Sequence, residues 1–275
     1  MEQCIHTHWI ADEQLISACD FIPGNFEGYE YVYEVIRLID GKPLFYAEHF
    51  GRLEKSCALA GFPLPQSALL KTQFHILVEA NRVDAGNVKV MVSKGRNFAK
   101  YKMAMWFIPA FYPDETMLQQ GVVVALIDLK RIDPQIKMFR SDYKQLVAET
   151  LQRLQVYELL LLDNDQITEG SRSNVFFVKG NQLFTAPDEA VLRGVTRQKV
   201  LEISKRLGIE VHKEFLRLNE LQKMEAAFLC GTSPGVLPIS NIVDKAAYST
   251  NHHVMQILKH SYQQERDDDI ANFSW

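Results

Sequence analysis

The chain has 275 residues, 47% of them hydrophobic and 23% charged, with a net charge of −4 at neutral pH. That length suits one large domain or two modest ones, and the composition is that of an ordinary globular protein. No Lys/Arg-rich cluster interleaved with aromatic residues occurs, and no run approaches the roughly 18 apolar residues of a membrane span, which argues against nucleic-acid and membrane partners.

The N-terminus, Met1-Glu2-Gln3-Cys4, lacks a basic stretch followed by an apolar one, so no signal peptide is expected. Cys4, Cys19, Cys57 and Cys230 are too widely spaced for a zinc site or a redox pair. They read as free thiols in a reducing compartment, no metal is expected, and the cytoplasm follows by elimination.

In chain order, 30–38 is rich in aromatic and β-branched residues and predicts a strand. Asp40-Gly41 predicts a turn, and Pro43–Tyr46 a second strand of a hairpin. Glu48 to Leu59 predicts a helix, with Phe50, Leu53 and Cys57 on one face, and Gln66 to Asn81 a second. Val88–Val92 and Met103–Pro109 predict strands. Phe111–Glu115 reads as a linker, and the pattern then restarts.

Strands are expected at Gly121–Leu126, Tyr157–Leu162, Asn174–Val178 and Ala226–Cys230, with another beginning at Leu183-Phe184. Helices are expected at Ser141–Leu154, Thr196–Leu207 and Asn251–Glu265, followed by a frayed acidic tail from Arg266. Strands and helices mix without strict alternation. This predicts an α+β chain of two domains, 1–112 and 118–275, joined by 113–117.

Four segments carry candidate chemistry. Gly194-Val195-Thr196-Arg197 opens a helix, whose free N–H groups either hold a phosphate or are merely capped. The turn Gly231-Thr232-Ser233-Pro234-Gly235 either aims N–H groups at an anion or simply ends a strand. Glu169, at a Gly-containing turn before a strand, is either solvated or held inside against a cationic ring nitrogen. Lys137, flanked by Ile136, Met138 and Phe139, either snorkels to water or is drawn inward to become an amine nucleophile.

The order of these segments resembles the class IV pyridoxal-phosphate enzymes, a family of branched-chain and D-amino acid aminotransferases and 4-amino-4-deoxychorismate lyase. The resemblance runs from about Tyr31 to about Asp244. Glu48-His49-Phe50-Gly51-Arg52-Leu53 is similar to the family's Glu-His-x-x-Arg-Leu, which implies that Arg52 binds the cofactor phosphate. Ile136-Lys137 is similar to the segment bearing the Schiff-base lysine. Thirty-two residues separate Lys137 from Glu169, as in the family, whereas the rival Lys144 is only twenty-five away.

Thr168-Glu169-Gly170-Ser171 with Ser173-Asn174 is similar to the Thr-Glu-Gly-Ser-x-Ser-Asn signature, whose glutamate faces the pyridine nitrogen. Leu192-x-Gly194-Val195-Thr196-Arg197 is similar to Leu-x-Gly-Ile-Thr-Arg. There the leucine packs on the ring, and the positions of Val195 and Thr196 bind phosphate. Gly231-Thr232-Ser233, with Pro238 following, is similar to the loop near the phosphate and the substrate carboxylate.

The resemblance implies a fold type IV enzyme. Its smaller N-terminal domain and larger C-terminal domain, the latter carrying the lysine, hold pyridoxal 5'-phosphate in the cleft between them, as a homodimer. It implies transamination between a branched-chain-like amino acid and a 2-oxo acid through Lys137. The alternatives are a lyase releasing pyruvate and p-aminobenzoate, and a non-catalytic relative that binds a phosphate ligand.

The family's usual glycines before Tyr33 are absent, the run being Gly28-Tyr29-Glu30-Tyr31-Val32-Tyr33, and Arg96–Lys100 lacks the histidine of the D-amino acid enzymes' carboxylate trap, which discounts D-amino acids. Val35 stands where the lyase often has threonine, and Arg140 where many relatives have asparagine. Tyr143 is a candidate partner for the ring hydroxyl, and Tyr33, Arg37, Lys94 and Ser233 are candidate substrate contacts.

Overall fold

A computed structural model describes residues 2–26, 29–63, 66–94 and 100–275. Gly28 and residues 95–99, on which two of the specificity expectations rest, lie outside them. Backbone contacts divide the chain into two compact units: Met1–Phe111 with Ile136–Lys144 and Arg266–Trp275, and Tyr112–Gln135 with Gln145–Glu265. This differs from the expectation of a single boundary at 113–117 with Lys137 in the second domain. The physical reason is strand pairing, which ties Lys137 to the first unit.

In the first unit, the described strands are β1 (His8–Ala11), β2 (Gln14–Ser17), β3 (Tyr31–Ile39), β4 (Lys42–Pro43), β5 (Gly86–Val92), β6 (Met103–Ile108) and the short β8 (Met138–Phe139). They form one antiparallel sheet in the order β2-β1-β6-β5-β3-β4, with β8 also paired to β3. Asp40 (φ 49°) and Gly41 (φ 71°) make the two-residue turn from β3 to β4, a backbone shape that matches strand twist and favours Asp-Gly.

The expected second strand stops at Pro43. Phe45 adopts a left-handed φ of 50° and starts helix α1 (Tyr46–Ala60), which closes on Gly61 at φ 66°. Helix α2 spans Ser67–Asn81. Alternation along the strands gives the sheet two buried faces. On one face Val32, Ile36, Val88 and Val90 pack with Phe50, Leu53, Phe74 and Leu77 of α1 and α2. On the other Trp9, Phe26, Tyr31, Met91, Trp106 and Phe139 pack together.

The hairpin β1–β2 was not expected, because its alternation is short and carries charged residues at the turn. The tail is not frayed. Helix α6 runs from His253 to Asn272, Asp269 Oδ2 accepts from Phe45 N at 2.6 Å, and Lys42 Nζ donates to Ile270 O at 2.8 Å.

In the second unit, the described strands are β7 (Val122–Asp128), β9 (Glu158–Asp163), β10 (Gln166–Gly170), β11 (Asn174–Lys179), β12 (Gln182–Thr185), β13 (Glu210–Lys213), β14 (Leu216–Arg217), β15 (Ala226–Gly231), β16 (Gly235–Ile242) and β17 (Ala246–Ala247). Their sheet is mixed: β7 runs parallel to β9 and β16, while β11, β15 and β16 are antiparallel neighbours. Helices α3 (Glu115–Gln120) and α5 (Val195–Arg206) also belong to this unit, and α4 spans Ser141–Leu154. Five of these strands were not expected: β13, β14 and β17 are only two to four residues long, β10 has a Thr-Glu-Gly that reads as a turn, and in β16 Pro238 and Ser240 interrupt the apolar run.

Candidate active site

The first unit fixes Lys137 from both sides of its backbone. Its N–H donates to Ser56 Oγ at 3.2 Å, and its carbonyl accepts from Tyr33 N at 3.0 Å. The side chain is half-buried, with Nζ 4.7 Å from the centroid of the Tyr33 ring. Lys137 is therefore drawn inward rather than extended to solvent.

Arg52 and His49 lie three residues apart on α1, so both reach the same point of the sheet. That point is Glu34, which is fully buried. Arg52 donates Nε and Nη2 to its two oxygens, both at 2.6 Å, and His49 Nδ1 donates to Oε2 at 2.9 Å. Burial works to raise the Glu34 carboxyl, but the Arg52 charge and these hydrogen bonds outweigh it and bring it down to about 2. Burial also pushes the His49 imidazole below its ordinary value, so neutral His49 carries its proton on Nδ1 toward Glu34. Arg52 is thus held by two of its three nitrogens, with Nη1 left for an anion.

In the second unit Glu169 is 1% exposed, within β10 rather than at a solvated turn. The β9–β10 register shifts between Ile167 and Gly170, and such irregularities re-aim a side chain. Its Oε2 accepts from Asn174 Nδ2 at 3.2 Å and Leu192 N at 3.1 Å, and its Oε1 from Arg131 Nη1 at 3.3 Å. Asn174 Nδ2 also donates to Leu192 O at 2.9 Å, so two separate sequence motifs are joined by one amide. A Cβ added to Gly194 would collide with Asn174 Oδ1, which accounts for glycine there.

The loop between β10 and β11 hangs on Glu158, 2% exposed. That carboxylate accepts from Ser171 Oγ at 2.5 Å, Ser173 Oγ at 3.0 Å and Arg172 N at 3.2 Å.

Helix α5 opens at Gly194, so Val195 and Thr196 occupy its buried first turn. Their N–H groups lie ahead of the helical bond from Gln198 N to Gly194 O at 2.9 Å. Arg197 is fully buried beneath them and holds the turn through Asp188 Oδ1 at 2.7 Å and Ala186 O at 2.9 Å. Thr196 Oγ1 lies 3.4 Å from Tyr262 Oη. Thr232 and Ser233 sit half-buried in the turn from β15 to β16.

Among the substrate candidates, Tyr33 and Arg37 lie on β3, half-buried. Lys94 is exposed, with Nζ 5.1 Å from the Phe62 ring centroid. Arg140 Nη1 lies 3.8 Å from Glu30, and Tyr143 is in α4. Residue patterns alone did not point to Glu34, Arg131 or Glu158. A lone Glu inside an apolar strand is the signal that marks Glu34, while Arg131 sits in a loop without any.

Buried Cys57 and Cys230 have thiols that burial pushes up to about 12, so neither is a ready nucleophile. Among the described residues no three His, Cys, Asp or Glu side chains converge as metal ligands, and no helix is long and apolar enough to cross a membrane.

These donor types fit pyridoxal phosphate. Its aldehyde requires an amine, its pyridine nitrogen a buried and oriented carboxylate, and its phosphate a cation with helix N–H groups. The family model described as amino-transferase class IV matches residues 31–242. A D-alanine aminotransferase of Bacillus licheniformis is 30% identical over 228 residues, covering 78% of this chain and 81% of that protein. A probable branched-chain-amino-acid aminotransferase of Thermotoga maritima is 30% identical over 219 residues, 77% of each chain. The fold matches the branched-chain amino acid aminotransferase of Escherichia coli with a TM-score of 0.80 at 22% identity, over 94% of both chains. Buried Glu169, pinned Lys137 and a family match across most of the chain converge on one conclusion: this protein belongs to the class IV aminotransferases and is a pyridoxal-phosphate-dependent enzyme.

Proposed function

We propose that the chain transfers an amino group between a branched-chain-like L-amino acid and a 2-oxo acid, with Lys137 as its reactive amine. The observation that carries this reading is Glu169, a buried carboxylate whose direction is set by Asn174, Leu192 N and Arg131. A carboxylate so held keeps a proton on an opposing ring nitrogen. Bound pyridoxal phosphate supplies a ring that withdraws electrons from the substrate Cα.

Lys137 Nζ would hold the cofactor through its aldehyde and, as a free amine, would take and return the substrate Cα proton as general base. Arg52, the first-turn amides of Val195 and Thr196, and Thr232 would hold the phosphate, and Leu192 would pack on the ring. Glu34 acts through Arg52, presenting Nη1. Tyr33, Arg37, Lys94 and Ser233 contact substrate. The enzyme works in the cytoplasm as a homodimer, and light scattering on purified protein checks the dimer.

The branched-chain relative supports the L-amino acid reading, and the D-alanine relative supports a second reading, with D-alanine as amino donor. L-leucine and D-alanine, each with 2-oxoglutarate, separate the two. Turnover of D-alanine with none of L-leucine would replace the first reading by the second. Lys137→Ala should cut turnover by at least about a hundred-fold. Borohydride should leave a pyridoxyl group on the peptide containing Lys137, and a label elsewhere overturns its role.

A further inference from the structure

Lys89 interrupts the apolar run of β5, between Val88 and Val90, opposite Val35 of β3. It is 4% exposed, and four rings surround its Nζ: Phe139 at 4.8 Å, Tyr31 and Tyr33 at 4.9 Å each, and Trp106 at 5.5 Å to centroid. The partner of this buried cation comes from near the chain's start. Glu2, 5% exposed, places Oε1 2.8 Å from Lys89 Nζ.

The same oxygen accepts from Lys144 Nζ at 2.9 Å and from Tyr31 Oη at 3.3 Å, and Tyr31 Oη accepts from Lys89 at 2.9 Å. Three donors thus converge on one carboxylate oxygen. They stand on β3, β5 and α4, whereas Glu2 belongs to no helix or strand. Two ammonium groups facing one carboxylate leave the recess cationic, and without an anion Lys89 would stay desolvated among rings. The Lys144 side chain is 52% exposed, so one side of the recess opens to solvent.

We propose that Lys89, Lys144 and Tyr31 Oη form a carboxylate site, filled by the chain's own Glu2, that a small aliphatic carboxylate from solution takes over when the N-terminal segment swings out. Glu2 then acts as a tethered competitor, present at the millimolar-range effective concentration typical of a short flexible link. The site is one ring away from Lys137, because both Nζ atoms lie against Tyr33, at 4.9 and 4.7 Å from its centroid. Resting on the reading that Lys137 is the reactive amine, the visitor is an amino or 2-oxo acid. The recess itself is independent of that reading.

Glu2→Ala removes the carboxylate group that propionate also carries. In the full chain, its melting temperature should fall below that of the unaltered protein. Propionate should restore it at about ten-fold lower concentration than affects the unaltered protein, and propionamide, of the same shape without charge, should not. Equal responses to propionate and propionamide, or equal responses of both proteins, overturn the proposal.

The unaltered protein gives a second measurement. Ile5 N donates to Phe107 O at 3.2 Å, and propionate should speed its hydrogen exchange while sodium chloride at equal ionic strength does not. Unchanged exchange at saturating propionate also overturns the site. Borohydride labelling of Lys137 is unaffected by either result, so the two readings fail separately.

Discussion

The two faces of the first unit's sheet each bury one ion pair, and they solve the same problem differently. On the helix-covered face Arg52 meets Glu34 through two hydrogen bonds of 2.6 Å, with both residues on regular elements. On the aromatic face Lys89 meets Glu2, which belongs to no helix or strand. The difference follows from the cations. A guanidinium cannot shed its proton in a protein, so half-buried Arg52 demands a permanent anion. A buried lysine can shed its proton, and burial has already pushed Lys89 down to about 8 against the pull of Glu2. The first pair is an obligatory part of the fold, while the second tolerates exchange of its anion.

Glu34→Gln tests this contrast hardest. It keeps the shape but strands Arg52, and should cost about 3–5 kcal/mol, the usual price of breaking a buried pair. Glu2→Ala should cost less, about 1–2 kcal/mol, because Lys89 can become neutral. Denaturant unfolding of both variants checks the order, and an equal loss would break the comparison.

The two pairs also respond to opposite ends of the pH scale. Glu34 is depressed from 4.5 to about 2, so its contribution is present above 4.5 and is lost as pH falls toward 2. Lys89 is depressed from 10.5 to about 8. Between those values the unfolded chain holds the extra proton, and stability rises with pH. The buried Cys57 and Cys230 thiols, raised to about 12, work in the opposite sense over the same window in any variant, so the difference isolates the lysine: from pH 8 to 10 the unaltered protein should gain stability relative to Lys89→Met in unfolding curves, with Glu2, Tyr31 and Lys144 still in place around the position. The smallest effect is expected for Lys144→Met, within about 0.5 kcal/mol, because that half-exposed pair is screened by solvent.

Much of this was legible in the sequence. The 3.6 period placed α1, α2, α4 and α5 within about two residues, and the motif order brought out Lys137 and Glu169. The failures have physical causes. Phe45 turns into a helix through a left-handed residue, which propensity does not show. Glu169 lies in a strand whose irregular register mimics a turn. The tail is ordered by contacts to residues more than two hundred positions away, such as Asp269 to Phe45. Lys89 and Glu34 each carry a visible local sign, the one charge of β5 and the one carboxylate of β3, but their partners come from the N-terminus and α1. No local window contains both halves of either pair.

Ser56 has a consequence for precision. It lies four positions after Arg52 on α1, about 6 Å further along the helix axis, and its hydroxyl receives the amide of Lys137. One stiff rod therefore gauges the spacing between the Arg52 guanidinium and the Lys137 backbone. Thermal displacement of that rod carries both together, so the distance between them stays constant while the rod itself moves.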